Sequence, residues 1–309
     1  MNKIGIGIVG LGGFASGRLP SIKEDERADL VAVLTRRGSE ERVKGILQKH
    51  GLEAELEFDE EIFFSRKDIQ AVFVSVPNAL HYRVAKKSIL SGKHTLVEYP
   101  MTQTLEEYDE LVSLAKEKGV VLHHALTVLQ EPLYQSMKRN LSMVGGLVYS
   151  HIRFFGGKKW YVSSSLRGDP FVSLHIHFLY QFYKLFEGME ILAATLKEKE
   201  GEYTFGSILL RFSPSKMTGI IDFGMGLMER SYSWTIVGEK GTIMFDRERG
   251  NKLLFKGEKE ETLPLEGEGV DDTKNFIAQV LLNAPPHISL EEGRKAIELS
   301  LLASEMAKK

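Results

Sequence analysis

Ile4-Gly5-Ile6-Gly7-Ile8-Val9-Gly10-Leu11-Gly12-Gly13-Phe14-Ala15 sets an apolar run directly before a turn with Gly-x-Gly-x-x-Ala spacing. The run reads as a buried strand and the turn as the start of a helix. In that context Gly10 makes the tight turn, Gly12 lets a pyrophosphate approach the backbone, and the small Ala15 lets helix pack on strand. Gly13 and Phe14 complete the turn as cofactor-side candidates. Amides at such a helix start can accept phosphate charge. Glycine turns without ligands are common, so the motif has to be weighed with its surroundings.

The next apolar run, Leu30 to Leu34, reads as a second strand and ends in Thr35-Arg36-Arg37. A strand end here falls beside an adenosine ribose, where an acidic residue would favour NAD. A hydroxyl and two guanidinium groups instead suit the 2′-phosphate of NADP by charge and hydrogen-bond geometry. A solvated loop is the plain alternative. NADP(H) is therefore the preferred cofactor, with NAD(H) retained.

A helix over 39–49, a short strand near 53–58 and a helical turn over 60–64 follow. Residues 71–76 read as a core strand that ends at Pro77-Asn78, and 79–90 as a helix with His81 in its first turn. Pro77, Asn78 and His81 are candidates for shaping the nicotinamide side, although turn geometry alone explains the first two. The strand 94–98 stops at Pro100, which has no amide hydrogen for a ladder. Glu98 and Tyr99 thus stand at a strand's carboxyl end, where open α/β sheets place ligands. A helix over 105–118, stopped by Gly119, and a strand entering at 120–122 complete an alternation that predicts a doubly wound parallel sheet. His123 and His124 invite a metal, but no close carboxylate–histidine cluster accompanies them, so polar roles are expected and no metal.

Beyond residue 124 the rhythm changes. A connecting helix over 129–139 precedes a strand through Phe155 that carries Arg153, a loop Gly156-Gly157-Lys158-Lys159-Trp160, and the interruption Arg167-Gly168-Asp169-Pro170. Phe171 to Phe186 reads as one aromatic-rich helix bearing Ser173 and His177. Candidate strands at 191–199, 203–212, 217–223, 231–237, 241–246 and 251–256 predict a large, mostly antiparallel sheet. Helices over 271–282 and 289–307 end the chain. The expected organisation is a Rossmann domain over 1–123 and an α+β domain over 124–309, the terminal helix packing back on the first domain.

Length allows two domains, since the chain has 309 residues, 43% of them apolar. Lysine plus arginine total 40 against 42 acidic residues, which argues against a general nucleic-acid binder. No cysteine is present, so redox chemistry needs a bound cofactor. No signal-peptide pattern and no run of about 18 apolar residues appear. A cytoplasmic protein acting on a small molecule is expected, without nucleic-acid or membrane partners.

Taken together, the segments resemble the glucose-fructose oxidoreductase, inositol dehydrogenase and MocA (Gfo/Idh/MocA) family, on GLGGFA at 10–15, PNALH at 77–81, GKHTLVEYP at 92–100 and HISLEEGRKAIELSLLASEMAKK at 287–309. The resemblance implies a Rossmann domain coupled to an open α/β domain. Family dehydrogenases have Glu-Lys-Pro where this chain has Glu98-Tyr99-Pro100, and the resemblance gives that lysine a role in proton transfer. The family's Asp four residues before His is matched here by Ser173 and His177. The sequence VEYPMT and Thr35-Arg36-Arg37 resemble the biliverdin-reductase subgroup, whose pocket-helix arginine is matched by His177.

The expected activity is therefore hydride transfer from NAD(P)H to a small molecule such as a linear tetrapyrrole. Tyr99 and His177 are the catalytic candidates. Arg153, Lys159, Arg167 and Ser173, with Tyr99 and His177, are the substrate-binding candidates. Two alternatives stay open: a sugar or polyol dehydrogenase with an altered proton relay, and a dinucleotide-responsive regulator without turnover. The broad sheet can also serve a homo-oligomer.

Overall fold

The computed structural model describes residues 3–157, 164–199, 202–227, 230–267 and 269–309. The chain divides into two compact units, Met1–Thr127 with Val270–Arg294, and Val128–Gly269 with Lys295–Lys309. The first unit thus runs past the expected boundary at 123 and takes in a later segment.

In the first unit the strands are β1 (Ile4–Val9), β2 (Ala28–Leu34), β3 (Glu55–Glu57), β4 (Ala71–Val74), β5 (His94–Glu98) and β6 (Leu122–Ala125). They form a six-stranded sheet in the order β3-β2-β1-β4-β5-β6, with every pair parallel. This is the dinucleotide-binding order, and its reversal beside β1 opens a crevice at the strands' carboxyl ends. β1 is buried along its whole length, as expected of a parallel strand covered on both faces. Gly5 interrupts it for a steric reason: a Cβ there would lie 1.8 Å from the Asp68 carbonyl oxygen. Ile6, Ile8, Val33, Phe73 and Leu96 share one core with Phe276 and Ile277 from the later segment.

β5 occupies the expected 94–98, and the helix Leu105–Lys118 the expected 105–118. Thr104 caps that helix by accepting from the Glu107 amide at 3.2 Å, and Gly119 ends it at φ +65. The Val120 amide turns back to Ala115, so β6 starts at Leu122 rather than 120 and contains both His123 and His124.

The second unit is built on β7 (Leu147–Gly157), β8 (Met189–Lys199), β9 (Glu202–Phe212), β10 (Thr218–Leu227), β11 (Ser231–Gly238), β12 (Gly241–Asp246), β13 (Lys252–Lys256) and β14 (Glu260–Leu263). They form an eight-stranded sheet in the order β14-β13-β12-β11-β7-β10-β9-β8. The β7–β10 pair is parallel and the others antiparallel, so the expected α+β architecture holds. One face buries Ile152, Ile208, Leu210, Ile221, Phe223, Trp234 and Ile236 with Leu179 and Phe182 of the helix Ile176–Leu185. The single helix expected over 171–186 is instead a π-helical turn at Phe171–His175 followed by that α-helix. β14 lies beyond the expected strands; its Glu-Glu-Thr-Leu sequence is that of a charged sheet edge.

Candidate functional site

The glycine turn leaves β1 at Gly10, whose φ is +85 and whose Cβ, were there one, would lie 2.7 Å from the Ser75 carbonyl oxygen. Only glycine fits that turn without strain. Around Gly12 and Gly13 the opposite holds, since a Cβ at either would meet no atom within 4 Å. A phosphate can therefore approach the backbone at Gly12 and Gly13, at the start of the helix Gly13–Ser16, without meeting another group. Ala15 is fully buried against the sheet. Phe14 is 63% exposed, and its ring meets Tyr99 edge-on with centroids 6.4 Å apart.

Gly10 donates its amide to Leu34, which brings the end of β2 beside the turn. There Thr35 is half-buried, and Arg36 and Arg37 are exposed. The Arg37 guanidinium stands 5.1 Å from the Phe58 ring centroid. Arg42, which sequence reasoning missed, donates to the Leu11 carbonyl at 2.8 Å. Its place on the helix Glu40–His50 gave no signal of a contact with the turn.

At the end of β4, Pro77 and Asn78 lead through a short 3-10 turn to His81. The buried His81 ring faces the Pro100 carbonyl through Nδ1 at 2.7 Å and the Val76 carbonyl through Nε2 at 2.8 Å. It ties the loops after β4 and β5 together, and burial pushes its pKa below the ordinary histidine value.

At the end of β5, Glu98 is only 8% exposed. Arg18 donates to it twice, Nε to Oε1 at 2.6 Å and Nη2 to Oε2 at 3.0 Å. The same guanidinium reaches Asp272 at 3.3 Å and Thr273 at 3.2 Å. Asp272 also receives His123 Nε2 at 2.7 Å, and Gln279 Nε2 meets His123 Nδ1 at 2.8 Å. Burial opposes the Arg18 charge, but the Glu98 charge and hydrogen bonds outweigh it and raise its pKa. Burial likewise opposes the Asp272 carboxylate, and the His123 hydrogen bond with the Arg18 charge holds it below the usual range. His123 thus has a carboxylate partner that lies far away in sequence. Among the described residues, no group of three or more His, Cys, Asp or Glu side chains is placed to hold a metal.

In the second unit, Arg153 on β7 lies 5.7 Å from the Phe155 ring centroid. Arg167 is buried, hydrogen-bonds the Tyr203 hydroxyl and lies 5.1 Å from its ring centroid. Ser173 is buried within the π-turn and donates its amide to the Asp169 carbonyl at 2.8 Å. His177 is half-buried, and desolvation pushes its imidazole down to about 3. His175, which sequence reasoning passed over, is fully buried and stacks on Phe223. Burial, with His177 and Arg167 nearby, holds it well below the ordinary value. Lys159 lies outside the described residues.

Residues 4–126 match the NAD-binding Rossmann-fold domain of the Gfo/Idh/MocA oxidoreductase family. The chain is an NAD(P)H-dependent oxidoreductase with the fold of the Gfo/Idh/MocA oxidoreductases. It is 26% identical to a 2,7-anhydro-N-acetylneuraminate hydratase of Mediterraneibacter gnavus, over 90% of this chain and 76% of the relative. It is 27% identical to human biliverdin reductase A over 74% of this chain and 75% of that one. The fold also matches the crystal structure of a Synechocystis biliverdin reductase in complex with biliverdin and NADP+, with a TM-score of 0.85, 21% identity and 99% of each chain covered. The expected fold and cofactor class both stand, and among the described residues no helix is long and apolar enough to cross a membrane.

Proposed function

We propose that this oxidoreductase uses NADPH to reduce a conjugated, carboxylate-bearing small molecule, with a linear tetrapyrrole as the leading candidate. The observation that carries the reading is Tyr99, which leaves β5 beside Phe14 of the glycine turn. A phenol O–H can donate a hydrogen bond. That suits reduction, in which the substrate gains a proton, better than alcohol oxidation, which needs an acceptor. NADPH, when bound, supplies the hydride. Tyr99 donates its hydrogen bond or proton to the substrate atom that gains electron density. Glu98, gripped by Arg18, orients the strand end and is not the base. Arg36 and Arg37 meet the 2′-phosphate, with Thr35 beside them.

On the substrate side, His177 acts as a neutral ring at pH 7, because its pKa is about 3. Arg153, Arg167 and Lys159 are the proposed cationic partners of substrate carboxylates, and Ser173 is a further polar contact. The biliverdin reductases among the similar proteins support the tetrapyrrole. A sugar or polyol substrate is the second reading, favoured by the relative that acts on 2,7-anhydro-N-acetylneuraminate; there the neutral His177 would hydrogen-bond a substrate hydroxyl. A homo-oligomer through the outer face of the eight-stranded sheet also belongs to the proposal.

The test follows NADPH and NADH consumption with biliverdin and with a panel of small carbonyls and sugars. NADPH oxidation by biliverdin, faster than NADH oxidation, is expected. Turnover confined to sugars moves the assignment to the second reading. Binding of NADPH with no turnover of any substrate overturns both.

A further inference from the structure

The Arg18 guanidinium joins segments 80 residues apart, linking the start of the helix Leu19–Glu24 to the strand end that precedes Tyr99. We propose that Arg18 is a positioning residue for hydride transfer, holding Glu98 so that the neighbouring Tyr99 keeps a fixed place at the nicotinamide end of the first unit. The inference rests on the reductase reading above.

Three observations carry it. The two Arg18–Glu98 bonds join Nε and Nη2 to the two carboxylate oxygens at 2.6 and 3.0 Å, the fork-on-carboxylate pairing that fixes direction as well as distance. Arg18 is itself braced, since Nη2 is shared with Asp272, Nη1 donates to Thr273, and His123, backed by Gln279, secures Asp272 from the other side. Finally, Glu98 is the last residue of β5 and Tyr99 the first beyond it, so anchoring the Glu98 side chain restrains the backbone from which the phenol projects. Misplacing a reacting group by about 1 Å can cost on the order of a hundredfold in rate. A braced carboxylate one residue from the donor answers that requirement.

Arg18→Lys keeps the charge but replaces the fork with a single point contact. Truncating Arg18 would strand two buried carboxylates and threaten folding, so Glu98→Gln, which keeps the shape, is the second variant. Both are read by the melting temperature, by the Kd for 2′,5′-ADP, which lacks nicotinamide, and by the Kd and nicotinamide fluorescence of bound NADPH. Both variants should keep wild-type 2′,5′-ADP binding, bind NADPH about tenfold more weakly with altered nicotinamide fluorescence, and lose about tenfold or more in kcat with substrate KM unchanged. A lower melting temperature with NADPH seating and kcat as in wild type would show a purely structural ion pair and overturn the proposal. So would equal losses for 2′,5′-ADP and NADPH, or a Glu98→Gln variant that behaves as wild type. If the wild-type enzyme turns over no substrate, the reductase reading fails, and the two ligand-binding readouts still decide whether Arg18 sets the nicotinamide end.

Discussion

Tyr99 and His177 are both half-buried, and the part each plays can be measured. Tyr99 is half-buried against an exposed ring, so Tyr99→Phe keeps the packing and removes only the hydroxyl. If the phenol supplies the proton, kcat should fall on the order of a hundredfold with the Kd for NADPH unchanged. Steady-state kinetics beside fluorescence titration would check this, and an unchanged kcat would remove Tyr99 from the chemistry. His177 is desolvated and neutral, with its pKa moved from 6.5 down to about 3. The unfolded chain therefore takes up a proton below about pH 6.5 that the folded chain refuses. Stability is fully present above that pH and is lost as pH falls toward 3, by up to ~1.4 kcal/mol per unit for this group. His175, shifted in the same direction, adds to the loss. Urea unfolding at pH 7 and pH 5 should show His177→Asn less acid-sensitive than wild type. An identical pH slope would show that His177 is solvated.

Among the elements, the glycine turn separates folding from binding within three residues. Gly10→Ala must fit a Cβ at positive φ, 2.7 Å from a backbone oxygen, and should lose about 1–3 kcal/mol of stability. Gly12→Ala meets nothing in the protein, so its melting temperature should stay at the wild-type value. Its Kd for NADPH should rise about tenfold or more, because the methyl takes the space that a phosphate would use. Calorimetry with cofactor titration separates the two, and wild-type NADPH affinity in Gly12→Ala would place the cofactor elsewhere. This turn was legible because its chemistry is local. So were β5, stopped by Pro100, and the helix Leu105–Lys118, marked by Thr104 and Gly119. The π-turn at Phe171–His175 was not legible, since a run of aromatic residues gives no sign that its hydrogen bonding shifts register. Nor were Arg18–Glu98 and His123–Asp272, pairs separated by 80 and 149 residues. Nothing in either local sequence names the distant partner.

At the scale of the whole molecule, the eight-stranded sheet has one face in the core and one outside it. Cross-strand registry places Leu209, Ile220, His151, Thr235 and Met244 in one row across the outer face. Beside it, Asp222 joins His151 at 2.9 Å to Ser207 at 2.6 Å. Exposed Leu209 against Ile220 puts apolar surface at the centre of a polar frame, the composition of an interface that excludes water at its middle. A two-fold pairing of identical faces would bury this row against itself. If the sheet serves self-association, Leu209→Asp sets like charges together at the centre of the dimer and should convert it to monomer. The folded chain should tolerate the change, because position 209 points away from the core. Light scattering across a concentration series would decide. A dimer that survives Leu209→Asp, or a wild-type protein that stays monomeric at high concentration, would leave the outer face without a partner of its own kind.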